Sequence, residues 1–480
     1  MTNKKYFSIL FFVLILSLNY NSQNNLFNPY SRYGLGEMNS SVLSHNSGMG
    51  GACIALKPDS TMPMFINTGN PAAYPLIKLT SLEVGGTFLF SRFKSNAGTS
   101  QNWGTNFSYA TLGFPVREKG GAVVGIMPYS TVGYNLESKS DLDLVGTMTY
   151  QYSGAGNLNK AFIGYGVMPF DKSLQKFRRK RQYIADSLKT LSRTSFKCRE
   201  FGNKLLSDFS LGLNVNYIFG NVSNVAKVIY PSTLLYNNTL RERSLVMGDF
   251  TGNFGAQTAI TIDSVRVNNH KRRALREKVR FTMGFFMALN STLKADYTAS
   301  AYNYILNGSG QEIIRDTAYY LQKNSSSIRL PLEQGFGIGF KKGERINLVA
   351  DFALTYWKDF KYLDELNNFK NSYRTAIGVN YVPEKYASGR GSYVRRMNYR
   401  LGASYQSGYI SLSKQLISDY YVSGGIGIPV GIGRLSSMIN ISAQYGKMGT
   451  LKSNLLQQNY WRINFGFTFA DRWFQKFRYD

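Results

Sequence analysis

Apolar side chains return on every second position through most of this chain. In "YWRINFGFTF", Trp461, Ile463, Phe465, Phe467 and Phe469 alternate with Arg462, Asn464, Gly466 and Thr468. The same period runs through "FSLGLNVNYIF" from Phe209, "VRFTMGFFMAL" from Val279, "INLVADFALTY" from Ile346 and "YRTAIGVNY" from Tyr373. A period of two puts successive side chains on opposite faces of a strand and fits no helix. Each run has about 9–11 residues or more, the length that a tilted strand needs to cross a bilayer. Two structures accommodate such a face. A soluble sheet covers it with a second layer, and a membrane barrel shows it to lipid and keeps the polar face inside. The sequence offers few helices for a second layer, which favours the barrel over a large β-sandwich.

The alternation divides into strands at 81–91, 105–115, 121–138, 144–169, 209–219, 244–263, 279–301, 328–341, 346–357, 371–382, 396–410, 418–430, 436–447 and 459–469. An even count closes an antiparallel sheet without leaving an edge in lipid. The expected fold class is therefore all-β, a 14-stranded antiparallel transmembrane β-barrel over residues 81–469. Composition agrees: aromatics make up 15% of the 480 residues, with 34 Tyr, 32 Phe and 46 Gly, as strands with aromatic girdles require.

The N-terminus begins "MTNKKYFSILFFVLILSLNYNSQNN". Lys4 and Lys5 precede an apolar stretch from Tyr6 to Leu18, too short to span a bilayer comfortably. This reads as a cleaved signal peptide over residues 1–22, and predicts export to the cell outer membrane. The net charge is +28. Export argues against nucleic acid as the partner of that charge and leaves anionic headgroups or acidic proteins.

With both termini placed in the periplasm, two inward connections stand out. Residues 171–208 hold eleven Lys/Arg against four Asp/Glu, and 264–278 hold six against one. Each reads either as a solvated basic turn or as a docking surface for an acidic periplasmic partner. The densest runs are Lys176, Arg178, Arg179, Lys180 and Arg181 in the first, and Lys271, Arg272 and Arg273 in the second. A short tail, 470–480, follows the last strand, with Trp473 and Phe474 as interfacial anchors.

Residues 23–80 do not alternate and are rich in Gly, Pro, Asn and Ser, so they form a turn-rich segment suited to plugging the barrel. Within it "GMGGACIAL" (Gly48, Gly50, Gly51) is followed by Asn70, Pro71 and Ala72. The glycine-rich opening with this Asn-Pro-Ala triplet resembles the start of FadL-type outer-membrane barrels, the long-chain fatty-acid and hydrocarbon transporters. "VVGIMPYSTVGY" (123–134) and "GNLNKAFIGYGVMPF" (156–170) are similar to that family's early strands. The resemblance implies fourteen strands, an N-terminal plug, a kinked strand opening a lateral path, and a hydrophobic ligand. Other relatives of this fold serve as subunits of outer-membrane secretion or assembly machines.

Catalytic patterns are missing from the sequence. His45 and His270 are the two histidines, neither on an expected strand, and there is no G-x-S-x-G, HExxH, Walker loop or CxxC pair. No enzyme activity, cofactor or metal is expected. Glu83, Arg280, Arg329, Glu333, Asp351, Arg374 and Arg462 point into the expected lumen. They form either a structural lattice or a receptor for the carboxylate of an amphipathic ligand. Phe286 and Leu89 are inward candidates for its tail. Cys53 and Cys198 both fall on the periplasmic side, an oxidising compartment, where a disulfide would tie the insertion to the plug. Two functions follow: a FadL-like barrel moving a hydrophobic small molecule, or a non-catalytic subunit of an outer-membrane secretion or assembly complex. The first expects an apolar cavity beside the plug and a gap near strand 144–169. The second expects a filled lumen.

Overall fold

The computed structural model describes residues 28–58, 64–143, 145–170, 205–231, 236–267, 275–363, 365–366, 369–387, 392–430 and 437–471. The strands follow the alternation. In chain order they are β1 Thr80–Ser95, β2 Gly98–Val116, β3 Gly120–Leu142, β4 Gly146–Val167, β5 Ser210–Ile229 and β6 Asn238–Val267. Next come β7, in two pieces (Leu275–Ala288 and Thr292–Leu306), and β8, also in two (Glu312–Arg329 and Glu333–Lys342). They are followed by β9 Ile346–Thr355, β10 Ser372–Tyr381, β11 Asn398–Gln406, β12 Asp419–Val430, β13 Ser437–Gly449 and β14 Gln457–Asp471. Every pairing is antiparallel, and β14 returns to β1 along Thr80↔Asp471 to Lys94↔Gln457, closing a barrel of fourteen strands. Among the described residues no helix is long and apolar enough to cross a membrane.

Outward positions carry the apolar alternation. Phe465, Phe467 and Phe469 on β14, Leu213 and Val215 on β5, and Phe336 and Ile338 on β8 are all exposed, while Asn464, Asn214 and Asp351 are buried. Exposed apolar rows on a closed sheet are what lipid contact selects. Near one rim Trp103 and Trp461 both lie in register with Phe90, and Trp461 packs on Tyr445 at 4.9 Å. Tyr165 and Tyr381 are exposed near the other rim. These two aromatic levels bound the lipid band.

Two features depart from regular alternation. The interruptions at 289–291 and 330–332 divide β7 and β8, and the outer halves form a hairpin beyond the barrel. The three-residue break also changes the facing of β8. Ile328 is fully buried while Arg329 is exposed and donates to Asn290 Oδ1 at 3.1 Å. Arg329 therefore does not point into the lumen, contrary to the expectation from an unbroken strand 328–341. The second departure is between β2 and β3. They pair only from Ala110↔Ile126 to Val116↔Gly120, although both strands run well past that point. Pro128, which has no N–H to give, and a register shift between Pro128 and Ser130 mark where β3 leaves its neighbour. Among the described residues the β2 edge at Gly104–Tyr109 has no strand partner on that side, which leaves a seam in the wall.

Candidate functional site

Residues 28–58 and 64–79 touch every strand of the ring. Glu83 on β1 meets His45, Asp351 on β9 meets Cys53 and Ile54, and Gln444 on β13 donates to Ser47 O. On the other strands the contact runs largely through glycines. A Cβ at Gly121, Gly212, Gly284, Gly378 or Gly402 would overlap backbone atoms of Tyr74, Pro71, Ile54, Met49 and Gly50 respectively. Gly121, Gly166, Gly212 and Gly255 are direct cross-strand neighbours on β3, β4, β5 and β6, so they form a continuous bare patch on which the turn Asn70–Pro75 rests. A segment that contacts all fourteen strands of a closed ring lies inside it, and much of the glycine content is the imprint of its seat.

The seated segment is built from the two expected motifs. Gly50 and Gly51 have φ of +67° and +74°, a left-handed turn that other residues adopt only with strain. This turn brings the backbone against Ala403 on one side and Arg374 and Tyr421 on the other. The next stretch, Cys53–Leu56, is gripped by polar side chains. Asp351 accepts from the backbone N–H of Cys53 at 2.5 Å and of Ile54 at 2.8 Å. Asn67 donates to the carbonyls of Cys53 and Leu56, and Gln257 to that of Ile54. Asn70 caps the short 3-10 helix Pro71–Leu76 by accepting from Ala72 N at 3.1 Å, and donates to Ile54 O and Phe285 O. The Asn-Pro-Ala triplet is thus a cap, a helix start and a wall contact together. Ala72 is fully buried.

The charged residues expected in the lumen divide by use. Glu83 is 1% exposed and binds His45 Nδ1 and the Tyr109 hydroxyl. Burial pushes His45 down from its usual value, so the imidazole stays neutral. Arg462 pairs with Glu37 at 3.3 Å. Arg280 pairs with Asp208 at 3.1 Å, and Lys57 donates to the Asp208 carbonyl. Asp208 ends the basic insertion, and Leu205 O beside it accepts from Thr258, so the foot of the insertion is fixed to the barrel. Glu333 and Arg374 line a cavity of about 320 Å³ between the barrel wall and the N-terminal segment, which lines it from Gly36 to Val42. Phe286 lines it too, whereas Leu89 is buried without lining it. Lys160, which faces the same cavity from β4 and donates to Ser41 at 2.6 Å, was missed in the sequence. Its signal was a lysine on the polar face of an otherwise uncharged strand, "GNLNKAFIGYG".

Other expectations meet limits. Cys53 is a free thiol in this structure, buried beside Gly69 and within electrostatic reach of Asp351 and Arg374. Burial raises the Cys53 thiol to about 12, which makes it unreactive while seated. Cys198, the basic runs Lys176–Arg181 and Lys271–Arg273, His270, the signal peptide and the tail with Trp473 and Phe474 lie outside the described residues. The gap expected near strand 144–169 falls elsewhere. β4 pairs without a break with β5, and the seam lies between β2 and β3. The near edge of β3 is covered there by the N-terminal segment. Glu37 and Met38 pair with Thr131 and Ser130, and Asn28 N donates to Gly133 O at 2.7 Å.

Comparisons agree on this architecture. The Pseudomonas putida toluene transporter TodX is 13% identical, with a TM-score of 0.53 over 90% of this chain and 99% of that one. A TodX deltaS2S3 mutant monoaromatic hydrocarbon channel gives 14% and 0.51 over 90% and 99%. A Pseudomonas aeruginosa FadL homologue gives 13% and 0.47 over 91% and 98%. The chain thus shares the barrel fold of TodX. No curated protein matches its sequence. A family model described as BamG matches residues 1–175 and 197–480, and the chain belongs to the BamG family.

Proposed function

We propose that this barrel is a non-catalytic accessory subunit of an outer-membrane protein-assembly complex. The BamG designation points to that reading, and the filled lumen carries it. All fourteen strands contribute to holding the N-terminal segment, and three of the seven lumen charges expected to receive a ligand, Glu83, Asp351 and Arg462, are spent on that hold. In this reading the segment is a permanent plug, the barrel sits in the outer membrane, and the basic insertion 171–208 and the turn 264–278 dock an acidic partner on the periplasmic side. The fixed foot at Leu205–Asp208 gives the insertion a defined point of departure from the barrel. The test is depletion of the protein in its own cells. Unfolded barrel precursors should accumulate while hydrocarbon and fatty-acid uptake stays unchanged; loss of uptake with normal barrel assembly would refute it.

The seam between β2 and β3, next to a cavity, favours a second reading: a channel that passes a hydrophobic small molecule sideways into the membrane. Against it stands the charged lining of the cavity, which an apolar cargo would leave unsatisfied.

A further inference from the structure

The cavity between the barrel wall and the seated segment is charged on opposite walls. Lys160 reaches it from β4, and Glu333 and Arg374 from β8 and β10. Other ionic groups around it are already matched: Arg462 with Glu37 at 3.3 Å, and Asp419 with the Tyr460 hydroxyl at 2.9 Å. Glu333 is different. It lies within electrostatic reach of Arg374 and Lys160, yet among the described residues it makes no ion pair or hydrogen bond with either. Lys160 reaches only the Ser41 hydroxyl, and Arg374 lies against Gly51 and the Cys53 thiol. An enclosed carboxylate facing two cations across an open space is costly unless something completes the pairs. The lining also includes the aromatic side chains of Tyr129, Phe286 and Trp357.

We infer that this cavity binds a small zwitterion: an ammonium group paired with Glu333 on one wall, and an anionic oxygen group received by Lys160 on the other, joined by a short aliphatic link. A volume of about 320 Å³ suits a head the size of phosphoethanolamine. Only such a molecule offers an opposite charge to both Glu333 and Lys160 at once. A hydrocarbon would satisfy none of the three groups, and a simple anion would leave Glu333 opposed. The break at 330–332, which turned Arg329 outward, restarts β8 at Glu333 and so places it at this spot. The site goes beyond the assembly reading and does not depend on it.

The same head exists free and as the polar end of a phospholipid, and the experiment separates the two. The full-length barrel in detergent is titrated with phosphoethanolamine and with glycerol phosphate, following Trp357 fluorescence in a background where the other tryptophans are phenylalanine. Phosphoethanolamine should bind about tenfold more tightly, and Glu333→Gln should remove that preference. Lys160→Gln should weaken both probes. Heat-dependent gel mobility confirms that each variant is a folded barrel. Native mass spectrometry of protein taken from its own membrane then identifies the source. Retained ethanolamine phospholipid that is lost in Glu333→Gln assigns the lipid form, and binding of the soluble probe alone assigns the free form. Equal affinity for the two probes, or no binding of either, overturns the inference.

Discussion

The seat of the N-terminal segment makes a quantitative prediction at Gly212. An alanine methyl there would overlap the carbonyl group of Pro71 and the N of Ala72. Neither side can easily yield. Asn70 caps the turn, and the in-register neighbours Gly166 and Gly255 press on the same residues. Overpacking of this kind costs about 1–3 kcal/mol, and because β5 stays folded when the segment leaves, the cost falls on seating alone. A loss of about 1–3 kcal/mol raises the unseated population about 5- to 160-fold. Cys53 reports it, since its thiol is 3% exposed and becomes reactive only when the segment leaves its seat. In a Cys198→Ser background, maleimide labelling of Cys53 should accelerate by that factor in Gly212→Ala. Gly308→Ala, with open space around the new methyl, should label at the parent rate. Equal labelling of the two variants would refute the claim that bare glycines hold the segment.

Asn70→Ala removes a cap and two donated hydrogen bonds, and should lower the heat-induced mobility transition of the barrel by about 1–3 kcal/mol equivalent; an unchanged transition would contradict the role of the cap. Burial lowers Lys57 to about 8, with Asp208 opposing, so its charged form is penalised in the folded state. That penalty is complete below about pH 8 and fades as pH rises toward the unfolded lysine value near 10.4. The transition of the parent should therefore gain on that of Lys57→Met between those limits, and a pH-independent difference would contradict the burial. On the outer wall, Ile338→Lys should reduce folding into vesicles by about 2–4 kcal/mol if the residue sits mid-membrane, measured by urea titration.

The barrel was legible because lipid and lumen impose a strict period of two, and β14 shows it without exception from Trp461 to Phe469. What the pattern hides is where a strand breaks. Arg329 was misplaced because nothing in "SSSIRLPLEQ" marks the change of face at 330–332, apart from Pro331. The motif residues of the N-terminal segment stand out in the sequence through their turn chemistry. Their partners do not, because Gly121, Gly212 and Gly284 look like ordinary strand glycines until the backbone that rests on them is known. Cys53 was given a partner from compartment alone, whereas its surroundings are set by long-range packing against β9 and β10. Lys160 and Glu333 approach each other only after the sheet closes, which no local pattern records.

The central claim is that this barrel works as a subunit. The most direct measurement is the mass of the protein released from its own outer membrane in mild detergent, by light scattering and native mass spectrometry. The account predicts a stoichiometric protein complex well above the chain's 54.0 kDa, which dissociates when residues 171–204 are deleted while the barrel stays folded. A lone barrel carrying a hydrophobic small molecule, unchanged by the deletion, would contradict it.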